Sequence, residues 1–232
     1  APGCAEMPAS LKAMHLEQAL HEIEADKELT SLDLDCCDIG DAGVAKLATA
    51  LERNTTLTQL SIRSNEVGPV GAASVGQLLE RNTAIRTLVL RGNILGPEGA
   101  RPVGAGLERN RTLKVLDLNF NGLGDQGAAE IAMGLSRNSA LTKLDLGSNR
   151  IGDEGLEHIS TALMQNATLS DLLLHGANSF GEQGAKSLNA ALARNTSLTA
   201  LDINMGTFKD KGAISRVNQL YKTTQGERGK LA

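Results

Sequence analysis

The chain has no tryptophan, one tyrosine and three phenylalanines among 232 residues. The aromatic side chains that most often anchor tight protein interfaces are therefore almost missing, which leaves arginine as the favoured type still present. Its three cysteines are Cys4, Cys36 and Cys37, and the last two are adjacent. They cannot make the disulfide framework of a small secreted domain, so a reducing compartment is the default expectation. No uninterrupted apolar run approaches the roughly 18 residues a membrane-spanning helix needs, and no membrane partner is expected. Charged residues make up 22% and the formal net charge is −4. That balance offers neither the basic footprint of a nucleic-acid binder nor an acidic tail.

Signatures of catalysis and metal binding are also missing. There is no Gly-x-x-x-x-Gly-Lys phosphate loop, no His-Glu-x-x-His helix and no Cys-x-x-Cys pair. The histidines, His15, His21, His158 and His175, are scattered along the chain and form no repeated ligand set. Asp33, Asp35, Asp38 and Asp41 come nearest to a metal cluster, but they lack the glycine and terminal glutamate of a calcium loop. The chain reads as non-catalytic, with no cofactor and no metal.

What the sequence contains is a repeat. Leu57-Thr58-Gln59-Leu60-Ser61-Ile62-Arg63-Ser64-Asn65 returns as Leu141-Thr142-Lys143-Leu144-Asp145-Leu146-Gly147-Ser148-Asn149. The first position of each unit falls at Leu29, Leu57, Ile85, Leu113, Leu141, Leu169 and Leu198, so the period is 28 residues with a single final interval of 29. Self-similarity at this period implies a solenoid, in which each unit buries its apolar face only against its neighbours.

Each unit divides into a strand and a helix. In Leu141-x-x-Leu144-x-Leu146 the alternate leucines point to one face of a short strand, while Lys143, Asp145 and Gly147 point to the other. Next comes an asparagine, held by Asn65, Asn93, Asn121 and Asn149 and by Cys37 in the first unit, whose amide is expected to bond the main chain of neighbouring turns as a ladder. An apolar stripe at helical spacing follows, as in Leu156, Ile159 and Leu163. Acidic or proline residues at the helix start (Asp41, Pro69, Pro97, Asp125, Asp153, Glu182 and Asp210) suit capping and the helix dipole. The asparagines at the helix ends, Asn54, Asn82, Asn110, Asn138, Asn166 and Asn195, suit a left-handed C-cap. Four of these begin Asn-x-Ser/Thr sequons, and the repeat explains them better than glycosylation does.

Stacked units predict an α/β solenoid with a parallel sheet on the inner arc and helices outside, because strands stand closer together than helices. Seven strands at about 4.8 Å spacing give an arc of roughly 29 Å, wide enough for one face of a small protein. Residues 1–28 are expected to hold a capping helix, with Leu16, Ala19, Leu20 and Ile23 laid over the first unit. Residues 29–222 carry the seven units, the last degenerate because Gly206, Lys209 and Arg216 replace pattern residues, and 223–232 form a loose tail. The sixth unit has one residue too many. Ala177 falls at the ladder position with Asn178 just beyond, so a bulge is expected near His175–Asn178.

The pattern Leu-x-x-Leu-x-Leu-x-x-Asn/Cys-x-Ile/Leu-Gly, with a full helix per unit, resembles the ribonuclease-inhibitor class of leucine-rich repeats and covers about 190 of the residues. Similar repeats occur in NOD-like receptors, tropomodulins and Ran GTPase-activating proteins. The resemblance implies a partial horseshoe that acts as a monomeric, intracellular protein-binding scaffold, either in its own cytoplasm or as a bacterial effector inside a host cell. The expected partner is another protein held on the concave face. The alternative is a regulator resembling the Ran GTPase-activating family, although its acidic tail is missing here.

The candidate contact residues lie on or just past the open strand face. They run from Asp33 and Asp35 through Arg63, Val89 and Arg91 to Asp117, Asn119, Phe120, Asp145, Leu173 and His175. Phe180 and Phe208 take the buried place held by Ile151, which leaves Phe120 as the aromatic residue near that face. With so few aromatics, inhibition as tight as that of the ribonuclease inhibitors is not expected. Arg63 and Arg91 stand side by side as the best anchors, whereas Arg53, Arg81, Arg109, Arg137 and Arg194 sit at helix ends, where a cation meets the helix dipole.

Overall fold

The structure is a computed structural model that describes the backbone of residues 9–25 and 28–203 and the side chains of 16–24 and 28–203. The helix α1 (Ala9–Ala25) is followed by strictly alternating strands and helices: β1 (Ser31–Asp33), α2 (Gly40–Leu51), β2 (Gln59–Ser61), α3 (Pro69–Arg81), β3 (Thr87–Val89), α4 (Gly96–Arg109), β4 (Val115–Asp117), α5 (Gly124–Arg137), β5 (Lys143–Asp145), α6 (Asp153–Gln165), β6 (Asp171–Leu174), α7 (Glu182–Leu192) and β7 (Ala200–Ile203). All seven strands pair in parallel in chain order. The register advances by one repeat per strand, Leu60 beside Leu88 and Leu116 beside Leu144, with the longer step between Leu172 and Leu201.

One apolar core runs the length of the stack. The inward strand leucines, Leu88, Leu116, Leu144 and Leu172, and the helix stripe of Leu107, Ile131, Leu135 and Leu163 are fully buried. Each such side chain contributes about 1.5–3 kcal/mol relative to exposure. At the N-terminal end α1 lies against α2: Leu16, Ala19 and Ile23 are buried, and Lys46 Nζ pairs with Glu17 at 2.9 Å. The expected degenerate features at Gly206, Phe208, Lys209 and Arg216 and the tail lie outside the described residues.

The asparagine ladder after the strands is present. Asn65 Oδ1 accepts from the N–H groups of Cys37 and Ile39 (2.9 and 3.3 Å), and its Nδ2 donates to Leu34 O (2.8 Å). Asn93, Asn149 and Asn178 repeat the arrangement. Asn178, not Ala177, is thus the ladder residue of the sixth unit. The extra residue is taken up by the exposed Gly176–Ala177 step, with Gly176 at φ +78° and β6 one residue longer than β5. An amide that satisfies four main-chain groups outweighs strict spacing, so the backbone bulges to keep it in place.

Two local expectations are corrected. The helix-end asparagines are extended rather than left-handed: Asn82, Asn110, Asn138 and Asn166 have φ between −66° and −84° and ψ between 131° and 137°. They form a second ladder. Asn138 Oδ1 accepts from Ala140 and Leu141 N–H (2.8 and 2.7 Å), while its Nδ2 donates to Leu107 O and Asn110 O (2.7 and 2.9 Å). The side chain closes the turn that a left-handed residue would otherwise close, and it ties one unit to the previous one. With Asn110, Asn166 and Asn195 buried and their Nδ2 groups donating to main chain, the repeat accounts for these sequons.

The acidic residues at the helix starts do not cap their own helices. Asp41, Asp125 and Asp153 Oδ1 each accept from the glycine N–H of the following unit, Gly68, Gly152 and Gly181, at 2.6–2.7 Å. Those glycines are extended. Where the preceding unit carries proline instead, Gly96 and Gly124 turn to φ +61° and +60° and donate to Asn121 O and Asn149 O. A charged acceptor captures the amide when one is available, and without it the amide turns to the next unit's carbonyl through a conformation open to glycine.

Candidate functional site

The open face carries three columns. One runs Ser31, Gln59, Thr87, Val115, Lys143, Asp171 and Ala200, and the next, which holds candidate contacts, runs Asp33, Ser61, Val89, Asp117, Asp145, Leu173 and Asp202, both matched across the sheet by its register. Just past the strands come Asp35, Arg63, Arg91, Asn119, Gly147 and His175. Their backbones remain in step: Cys36 N–H donates to Arg63 O, Ser64 N–H to Arg91 O and Gly92 N–H to Asn119 O, at 2.8–2.9 Å.

In the first units the charges face solvent. Asp33 is exposed and its Oδ1 accepts from Asp35 N–H at 2.9 Å. Asp35 Oδ1 accepts from Ser61 Oγ and from Arg63 N–H, so it braces the main chain rather than a guanidinium. Arg63 and Arg91 are exposed, and neither makes an ion pair among the described residues. Val89 and Leu173 are half-buried between the charged groups.

The later units hold a different surface. Asn119 and Asp145, expected to project from the open face, are buried at 2% and 8% exposure. Asn119 Nδ2 lies 3.2 Å from Asp145 Oδ1 and 3.3 Å from His175 Nε2, while His175 Nδ1 lies 3.5 Å from Asp202 Oδ2. Because a carboxylate only accepts, the Asn119 amide must turn its NH2 toward Asp145; the same NH2 makes His175 Nε2 an acceptor and puts the proton of the neutral ring on Nδ1, facing Asp202. Gly147 makes this possible. A Cβ there would overlap Asn119 Nδ2 and stand 2.9 Å from His175 Nε2, so only the missing side chain lets the fourth and sixth units meet over the fifth.

Asp117 is half-buried and accepts from Asn119 N–H at 2.9 Å. Burial, with the repulsion of Asp145, pushes its carboxyl above the ordinary 3.8, against the Asn119 N–H bond and the nearby Arg91 and Lys143 charges. Phe120 is 63% exposed at the rim, with φ +58°. The structure therefore links Asn119 to Asp117, Asp145 and His175, with Asp202 near His175 but not hydrogen-bonded to its Nδ1, and it leaves Asp33, Arg63, Arg91 and Phe120 as the projecting groups. Gly147 is the residue that sequence reasoning missed; its signal was a lone glycine in a column otherwise of polar side chains.

On the convex side three of the helix-end arginines pair with a glutamate 29 residues earlier: Arg81 with Glu52 (3.0 Å), Arg109 with Glu80 and Arg137 with Glu108 (2.9 Å). That column is an exposed ion-pair ladder, in which each pair contributes about 0–1 kcal/mol.

A leucine-rich repeat family model matches residues 28–48, 53–76, 109–132, 137–160 and 194–215, in phase with the strand and helix units. This chain is a leucine-rich repeat protein. Its full helix in each of the first six units is that of the ribonuclease-inhibitor-like kind. No curated protein matches the sequence. Among solved structures it is similar to leiomodin-1 actin-binding site 2, with 21% identity over 93% of this chain and 92% of that one and a TM-score of 0.45. It is also similar to a Caenorhabditis elegans tropomodulin C-terminal domain, with 15% identity over 93% and 96% and a TM-score of 0.41. At such values neither likeness says what this leucine-rich repeat chain binds. Among the described residues, no helix is long and apolar enough to cross a membrane.

Proposed function

We propose that this protein is a protein-interaction scaffold that grips a partner protein on its concave face, with Arg63 and Arg91 as charge anchors. The observation that carries this reading is the pair of exposed guanidinium groups on consecutive rungs of the sheet, neither of them held in an ion pair among the described residues. Adjacent strands stand about 4.8 Å apart, so both can meet one carboxylate cluster on a partner, and arginine's planar fork suits that task. Farther along the face Asn119, Asp145 and His175 are already committed to each other.

The test compares inner and outer arginines. Reversing Arg63 and Arg91 to Glu should abolish capture of the native partner while circular dichroism stays unchanged. Reversing Arg81 and Arg109 breaks the pairs with Glu52 and Glu80, costs about 1 kcal/mol or less per pair and should leave capture intact. Loss of capture with the outer variant alone would move the binding site to the helix edge and refute the concave-face reading.

A further inference from the structure

Three irregularities meet on the rim beside the third and fourth units. Ile94 is 65% exposed. Phe120 is 63% exposed and sits at the turn position that is left-handed in each of the first six units; Cys36, Ser64, Gly92, Ser148 and Gly176 fill it elsewhere, so Phe120 is the one bulky side chain placed there. Beneath them the asparagine ladder is broken. In the second unit the N–H groups of Asn65 and Val67 reach Asn93 Oδ1, but in the third the turn takes another form in which Ile94 N–H donates to Val67 O at 2.9 Å. Neither Asn93 nor Leu95 N–H then reaches Asn121, whose Oδ1 is buried and has no donor among the described residues.

These features share one groove, lined by Asn93, Ile94, Phe120, Asn121, Gly122 and Arg150 among others. Strain, an orphaned acceptor and exposed apolar side chains each work against stability, and their coincidence at one place is the mark of a site kept for binding. The two sides of the groove carry opposite charges. Arg150 is exposed at φ +60° and makes no ion pair among the described residues, whereas the Glu98 carboxylate lies close to Gly96 on the groove's other lining. The geometry points to a second docking element: the groove takes a partner's peptide segment that seats one aliphatic side chain over Ile94 and Phe120 and turns an adjacent carboxylate to Arg150. This inference rests on the reading of the chain as a protein-binding scaffold and names the chemistry of one contact.

The test uses no native partner, so it can fail while capture through Arg63 and Arg91 stands, and the reverse. The ¹⁵N-labelled protein is titrated with a synthetic hexapeptide carrying a central Leu-Asp and, separately, with Leu-Lys and Ser-Asp versions. Millimolar Leu-Asp peptide should shift the amide signals of Ile94, Gly122, Ser148 and Ala177, and the other two should not. Phe120→Gly, which suits the positive φ, should fold at least as stably as the parent and weaken the response about tenfold or more. Arg150→Glu should transfer the preference to the Leu-Lys peptide. Absence of shifts at millimolar peptide, equal responses to all three peptides, or an unaltered response in Phe120→Gly overturns the proposal.

Discussion

The broken rung gives two asparagines of the same ladder different worth. Asn149 Oδ1 accepts from Asn121 N–H at 2.9 Å and from Leu123 N–H at 3.4 Å, and its Nδ2 donates to Leu118 O and Gly147 O at 2.9 and 3.1 Å. Truncation to alanine strands a buried N–H, weakens a second and removes a partner from two carbonyls. One buried unsatisfied group costs about 1–3 kcal/mol, so Asn149→Ala should cost about 3 kcal/mol or more. Asn121 is as deeply buried, but its Oδ1 holds nothing; its Nδ2 serves three carbonyls, each of which keeps another donor, Leu90 O the Asn93 amide, Leu118 O the Asn149 amide and Asn119 O the Gly92 N–H. Its loss also removes an orphaned acceptor. Asn121→Ala should therefore cost about 1 kcal/mol. Urea denaturation of both variants, with equal slopes to confirm the same exposed surface, reads the difference as a shift in midpoint. Equal costs, or a larger cost at Asn121, would refute the argument from the missing donor.

Two further outcomes are expected. Leu116→Ala, fully buried between two neighbouring strands, should cost about 2–5 kcal/mol, and Ile203→Ala in the last described strand should cost less; equilibrium denaturation compares them. Asp117 holds its proton more tightly when folded than its ordinary 3.8, so its ionised form destabilises the protein near neutral pH, and that penalty fades as pH falls through the raised pKa and is gone below 3.8. Asp117→Asn, which keeps an acceptor for Asn119 N–H, should thus be more stable than the parent near neutral pH and equal to it below 3.8; a gap independent of pH in urea midpoints would show that the carboxyl's charge is not the cause.

The repeat was legible because a local pattern dictates it: alternating leucines can only make a half-buried strand, a 3.6-residue stripe can only make a helix with one buried face, and 28-residue recurrence forces each unit onto the next. Asn65, Asn93 and Asn149 could be read as a ladder for the same reason, since a polar amide recurring beside a core must find main-chain partners. What sequence could not supply were relations between units. The identity of Asp41 or Pro69 sets the backbone of a glycine one unit later, and Gly147 lets Asn119 reach His175 two units away. Spacing put Ala177 at the ladder position and called for a bulge near His175–Asn178; the fold has that bulge and seats Asn178, because satisfying buried main-chain groups is worth more than keeping the period. The sequence by itself determined the fold, the direction of every strand and the open face. Only the stacking of one unit on another decided which side chains on that face are consumed by one another and which are left to meet a partner, because those bonds run across chain separations that no local pattern records.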